Sequence, residues 1–155
     1  MADKKLYLLD AFALIFRAYY ALIRNPRITS TGKNTSTQFG FVNTLVHLLK
    51  TQNATHIAVC FDTPEVGVRN EMFAEYKANR EEAPEDLKLA IPDIKRLVRA
   101  FNIPLIEAPG YEADDVIGTL SKKASDKGYE VYMVTADKDL GQLVNENVFM
   151  YKPPS

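Results

Sequence analysis

The chain predicts an α/β fold, a mostly parallel central sheet of about five strands with helices on both faces. Three observations carry this. Short apolar runs alternate with segments of helical periodicity. One run, Ile57-Ala58-Val59-Cys60-Phe61, is continuously apolar, as a strand covered on both faces must be. Acidic residues recur directly after strand runs, at the ends that share one crevice in a parallel sheet.

The elements follow in order. Residues 5–10 form the first strand, and 12–22 a helix that ends before Asn25-Pro26, because proline disfavours helical backbone in the residue before it. Residues 25–35 are polar, with Pro26 and Gly32, and read as a loop. Thr35 or Ser36 caps a helix through about residue 51, with Phe41, Val42, Leu45, Val46, Leu48 and Leu49 on its apolar face. Strand 56–61 leads into the turn-rich Thr63-Pro64-Glu65-Val66-Gly67 and a charged stretch at 68–83. Ile91, Ile94, Leu97, Val98 and Phe101 keep helical spacing, and Pro92 marks a helix start or a kink. Then come a third strand at 103–106, a helix at 112–127 ending near Gly128, and a fourth strand at 129–134. A short helix at 137–144 and a fifth strand at 147–151 close the series. Right-handed βαβ units are expected, with one end of the sheet uncovered because no helix follows the last strand.

The 155 residues suit one domain with a core of its own, and the apolar share of 46% and charged share of 25% are those of a globular protein. Lys4 and Lys5 precede only a short apolar run that Asp10 interrupts, so no signal peptide is expected, and no run approaches the roughly 20 apolar residues of a membrane span. The single cysteine, Cys60, can form no internal disulfide, which points to a reducing compartment.

Seven carboxylates fall at four places: Asp10, Asp62, the Glu112, Asp114 and Asp115 cluster, and the pair Asp137 and Asp139. Two carboxylates about 4 Å apart repel by roughly 4 kcal/mol at an effective dielectric of about 20, and a domain is stable by only about 5–15 kcal/mol. Protons or cations must therefore intervene, and oxygen-only donors suit hard divalent ions such as Mg²⁺ or Mn²⁺. Helix capping accounts for Asp10 or Asp62 taken singly. The helix dipole favours acids in a first turn, as at 112–115. Capping of the helix after Asp137 explains one aspartate of that pair but not both. Setting the seven aside leaves 13 acidic against 19 basic residues, a remainder of +6 that suits a polyanionic substrate. His47 and His56 adjoin none of the acidic motifs and read as structural, and Cys60 reads as core. Neither a dinucleotide glycine fingerprint nor a P-loop is present.

Arg69, Phe73, Tyr76, Lys77 and Arg80 recur at helical spacing, so cations and an aromatic share one face if 69–81 is helical. Packing of Phe73 and Tyr76 beneath a solvated charged face is the competing account.

Read together, Leu9-Asp10, Cys60-Phe61-Asp62, Tyr76-Lys77-Ala78-Asn79-Arg80, Tyr111-Glu112-Ala113-Asp114-Asp115 and Thr135-Ala136-Asp137-Lys138-Asp139 resemble the N-terminal part of the 5′-to-3′ exonuclease domain of bacterial DNA polymerase I, in the flap endonuclease family. The resemblance covers essentially the whole chain and implies a PIN-like, Rossmann-like three-layer fold. It implies two divalent ions, Mg²⁺ or Mn²⁺, held directly or through water by Asp10, Asp62, Glu112, Asp114, Asp115, Asp137 and Asp139. Such ions activate a water and stabilise the leaving oxygen, so no histidine base is needed. It further implies that Lys77 and Arg80 contact the attacked phosphate from an arch where Tyr76 stacks on a base, with Arg69 in the same segment. Arg17, Arg27, Thr31, Lys33 and Asn34 are then candidates for contacts to duplex DNA, although an ordinary solvated loop explains 27–34 nearly as well.

Two departures stand out. Ala11 follows the first aspartate where the family often has glycine, and the family's helix-hairpin module and further aspartates have no counterpart in these residues. The resemblance thus implies a piece of a longer, monomeric bacterial cytoplasmic protein at the nucleoid, serving DNA replication and repair on 5′-flap or nicked duplex DNA. It also implies weak or no cleavage by 1–155 alone. A non-catalytic DNA-junction module is the alternative. A phosphatase or receiver-like domain fits poorly, since the first strand ends in Asp10-Ala11-Phe12 rather than Asp-x-Asp and Lys152 is a poor match for a receiver lysine.

Overall fold

The computed structural model describes residues 3–63, 84–135 and 137–153. Five strands, β1 (Lys5–Asp10), β2 (His56–Phe61), β3 (Leu105–Glu107), β4 (Glu130–Val134) and β5 (Val148–Tyr151), form one sheet in the order β3-β2-β1-β4-β5. Every pairing is parallel. The chain builds outward from β1 to β3, then returns to the other side of β1 with β4. The switch point therefore lies between β1 and β4, where open α/β sheets bind ligands beyond the carboxyl ends of the strands.

Side chains alternate across the sheet and make two cores. Tyr7, Leu9, Val59, Phe61 and Val134 face α1 (Ala11–Ala21), α2 (Ser36–Thr51) and α3 (Glu85–Ala100). Leu8, Ala58, Cys60, Val131 and Met133 face α4 (Ala113–Asp126) and Leu140 of a 3₁₀ helix (Lys138–Leu143). The expected three layers are present. Residues 7–9 of β1 and 58–61 of β2 are buried on both faces, which is why those runs are apolar.

Two local expectations change. Helix α3 begins at Glu85 and runs through Pro92, instead of starting there. Its apolar stripe, Leu87, Ala90, Ile94 and Val98, stays buried, while Pro92 and Lys88, the residue whose carbonyl loses its partner, are both exposed. Strand β3 begins at Leu105, two residues later than expected, because Pro104 has no N–H and only its carbonyl joins the ladder, accepting from Val59 N–H at 3.0 Å. The short helix expected after Asp137 is present as a 3₁₀ helix, Lys138–Leu143.

Helices α1 and α2 approach closely at Gly40. A Cβ there would stand 2.7 Å from Ala18 Cβ and 3.1 Å from Ala18 Cα, with no flexible side-chain end to give way. Gly40→Ala gains about 1 kcal/mol of helix propensity against an overpacking cost of about 1–3 kcal/mol. The variant is expected to melt at a lower temperature, and an unchanged melting temperature would show that the two helices can part freely. Gly128, at φ +89°, terminates α4 as expected: Tyr129 N–H reaches back to Ala124 O at 3.0 Å.

Candidate active site

Asp10 is the last residue of β1 and the N-cap of α1, accepting from Ala13 N–H at 3.4 Å. Capping and pocket formation are thus the same placement rather than rivals. It is 6% exposed, and its Oδ2 accepts from the Thr135 hydroxyl at 3.0 Å. Burial pushes its pKa up to about 6; the hydrogen bonds from Thr135 and Ala13 oppose the shift, and the charges of Asp62 and Asp137 add to it.

Asp62 follows β2 directly, and its Oδ1 accepts from Ala113 N–H, the first amide of α4, at 2.5 Å. The helix N-terminus thereby places positive potential on a carboxylate from another element. Glu112 is the N-cap of α4, and its N–H donates to Asp115 Oδ2 at 3.1 Å. Asp115 is therefore engaged in capping, as the dipole argument allowed.

Asp114 lies in the first turn of α4, half buried. Its pKa is pushed up to about 8, first by burial, then by Asp10, by a hydrogen bond shared with Asp137, and by the charges of Asp137 and Asp62. Asp137 follows β4; its N–H donates to Thr135 Oγ1 at 3.0 Å, and its Oδ1 accepts from Asp139 N–H at 2.9 Å. Asp10, Asp62, Asp114 and Asp137 thus crowd one space at the switch point. Asp139 is exposed and, with Asp114, Asp115, Gly118, Thr119 and Leu143, lines an adjoining cleft of about 370 Å³.

The donor set is oxygen only, which suits a hard divalent cation. Burial first, and the neighbouring carboxylates second, raise Asp10 to about 6 and Asp114 to about 8, so Asp114 holds a proton near neutral pH that an entering cation would replace. Among the described residues, no three His, Cys, Asp or Glu side chains converge on a common point as they stand. Asp62 and Asp137 are turned toward backbone amides instead. The residues fit the ion in chemistry and neighbourhood, and side-chain rotation toward the shared space is what a complete ligand cage requires.

Other candidates have mixed placements. Arg17 donates to Pro153 O at 3.1 Å, pinning the chain beyond β5 onto α1. Arg27 lies over the Phe39 ring at 5.4 Å, and Thr31 Oγ1 meets Thr29 Oγ1 at 3.0 Å. Lys33 pairs with Asp93 of α3 at 2.7 Å, and Asn34 donates to Asp86 at 3.3 Å. The loop is exposed but strapped to α3. Arg69, Tyr76, Lys77 and Arg80 lie outside the described residues. His56 opens β2, at the edge of the sheet opposite the aspartates, and bonds to Thr55. Burial pushes the Cys60 thiol up to about 12, which removes it as a nucleophile.

Sequence reasoning assigned Thr135 no role, although the structure buries its hydroxyl between two aspartates. The available signal was its position, directly between the apolar end of β4 and Asp137.

Residues 5–155 match the family model for the 5′-3′ exonuclease N-terminal, resolvase-like domain. A 5′-3′ exonuclease of Aquifex aeolicus is 43% identical over 150 residues, which are 97% of this chain and 51% of that protein. DNA polymerase I of Chloroflexus aurantiacus is 43% identical over 148 residues, 96% of this chain but 16% of the polymerase. The chain therefore spans about half of the one relative and a small part of the other. T5 5′-exonuclease with bound divalent zinc ions has the same fold at a TM-score of 0.72 and 22% identity, covering 96% of this chain and 55% of that one. The catalytic core of Rad2 in complex with DNA aligns at a TM-score of 0.54 and 21% identity, covering 97% and 44%.

Proposed function

We propose, from the premise that this chain belongs to the 5′-3′ exonuclease N-terminal, resolvase-like domain family, that it is the metal-binding part of a nuclease hydrolysing DNA phosphodiesters at 5′ ends and 5′-flap junctions. One observation carries the reading: four aspartates from three strand ends and a helix start meet at the β1/β4 switch point. When bound there, two divalent ions, Mg²⁺ or Mn²⁺, supply an activated water and neutralise charge on the leaving oxygen. Asp10, Asp62, Asp114 and Asp137 are the inner oxygen donors in this reading, with Asp115 and Asp139 toward the adjoining cleft and Glu112 at the N-cap of α4.

The residues divide the work. Thr135 and the first amide of α4 hold Asp10 and Asp62 in place. Asp114, raised to about 8 by burial and by its acidic neighbours, holds a proton that an entering cation would replace. Lys77, Arg80 and Tyr76 are proposed to meet the attacked phosphate and a base, with Arg17, Arg27, Thr31, Lys33, Asn34 and Arg69 toward the duplex. Of these, Lys33 must first leave Asp93. The partners proposed are 5′-flap or nicked DNA and the helix-hairpin and polymerase domains of a longer, monomeric chain in the bacterial cytoplasm. Among the described residues, no helix is long and apolar enough to cross a membrane.

Labelled 5′-flap and blunt duplexes, incubated with Mg²⁺ or EDTA, test this. A version extended to the length of the Aquifex relative is expected to cut the flap only with Mg²⁺, and residues 1–155 weakly or not at all. Cleavage in EDTA would sink the metal reading. Strong, salt-resistant cleavage by 1–155 would sink the incomplete-site reading. A non-catalytic DNA-junction module is the second reading, favoured by the lack of a converged ligand cage among the described residues.

A further inference from the structure

Thr135 bonds to aspartates on both sides of the switch point. Its one hydroxyl proton goes to Asp10 Oδ2 at 3.0 Å, and its oxygen accepts Asp137 N–H at 3.0 Å. Asp137 Oδ1 in turn accepts Asp139 N–H at 2.9 Å. An unbroken chain of hydrogen bonds thus runs from the end of β1 to the turn carrying Asp137 and Asp139. The register explains the meeting: Leu9 pairs with Val134, so the next residues on the two strands are Asp10 and Thr135. Thr135 is 1% exposed, so water does not compete for these bonds.

We propose that Thr135 is a positioning residue, whose hydroxyl sets the orientation of Asp10 and the start of the 137–139 turn so that both sides offer oxygens to one cation. This rests on the reading that a divalent ion binds at the four aspartates. No other side-chain donor to Asp10 is found among the described residues. Valine has nearly the same shape but can neither donate to Asp10 nor accept from Asp137, so Asp10 is released to turn and the Asp137 amide is left unpaired. Serine keeps both bonds.

The test is Mn²⁺ titration of the 155-residue chain, followed by loss of the free-ion EPR signal, with thermal melts in EDTA alongside. Thr135→Val is expected to weaken Mn²⁺ binding by about tenfold or more, the usual effect of losing a partner that orients a ligand. Thr135→Ser is expected to bind as the parent does. A residue that merely supports the fold would lower the melting temperature in EDTA without changing Mn²⁺ affinity of the folded protein. Should Thr135→Val fail to fold, Thr135→Ala is held to the same criterion, because it removes the same bonds without crowding. Parent-like affinity in the folded Val or Ala variant overturns the proposal, as does a Ser variant as weak as either. Asp10→Asn and Asp137→Asn separate the two levels. If both still take up Mn²⁺ like the parent, the ion-binding reading fails and this inference with it; if they lose uptake while Thr135→Val does not, the positioning role alone falls.

Discussion

Raising the pH of the metal-free chain from about 4 to 8 is expected to lower its melting temperature, and saturating Mg²⁺ to restore it. The sign follows from the direction of the shifts. Asp10 and Asp114 have folded-state pKa values of about 6 and about 8, above the ordinary value of 3.8, so the folded state holds protons that the unfolded state has released. Their contribution is fully present below pH 3.8 and is lost as pH rises through about 6 and then about 8. For Asp10, the rise from 3.8 to about 6 corresponds to about 3 kcal/mol, or about 6–12 °C for a chain of this size. Asp114 is half exposed and adds less than its shift suggests. Asp93 acts in the opposite sense but in another window: hydrogen bonds from Lys33, Gln38 and Arg96 hold its carboxyl well below the usual range, so its contribution fades only under strong acid. Melts in EDTA across this range check the expectation, and a flat profile between pH 5 and 8 would refute the raised carboxyl pKa values that burial and the acidic neighbours impose. Asp114→Asn should flatten the alkaline half of the curve and remove the response to Mg²⁺.

Asp62→Asn and Asp137→Asn are expected to cut flap cleavage by the extended chain at least about 100-fold, since even partners that only orient a ligand are worth 10–100-fold. DNA affinity should stay the same or tighten slightly, because each change removes a negative charge that repels phosphate. Gel-shift titration in EDTA and single-turnover cleavage in Mg²⁺ separate the two. If both variants cut like the parent, the aspartates at the switch point are not the catalytic donors. If DNA affinity collapses with cleavage, the acidic cluster supports the binding surface rather than the chemistry.

Much of this architecture was legible because its signals are local. The continuous apolar run at 57–61 announces a strand buried on both faces, and Gly128 announces the end of α4. Pro92 left a helix start or a kink open, because a proline penalty is read locally, whereas the start at Glu85 depends on Pro92 lying on the exposed side of the helix, away from the buried stripe. Lys33 reads as a free cation for phosphate. Its pairing with Asp93, 60 residues away, depends on how the loop lies across α3.

The order of short apolar runs, helical stripes and trailing aspartates by itself determined a parallel α/β sheet with acids at the strand ends, because alternation and burial leave their mark on neighbouring residues. Only the tertiary structure decided which acids meet. The return of β4 to the far side of β1 brings Asp10, Asp62, Asp114 and Asp137 together, places Thr135 between two of them, and leaves Asp139 in the adjoining cleft. Strand order is set by the competition of whole faces for burial, a sum over both cores that no single segment records.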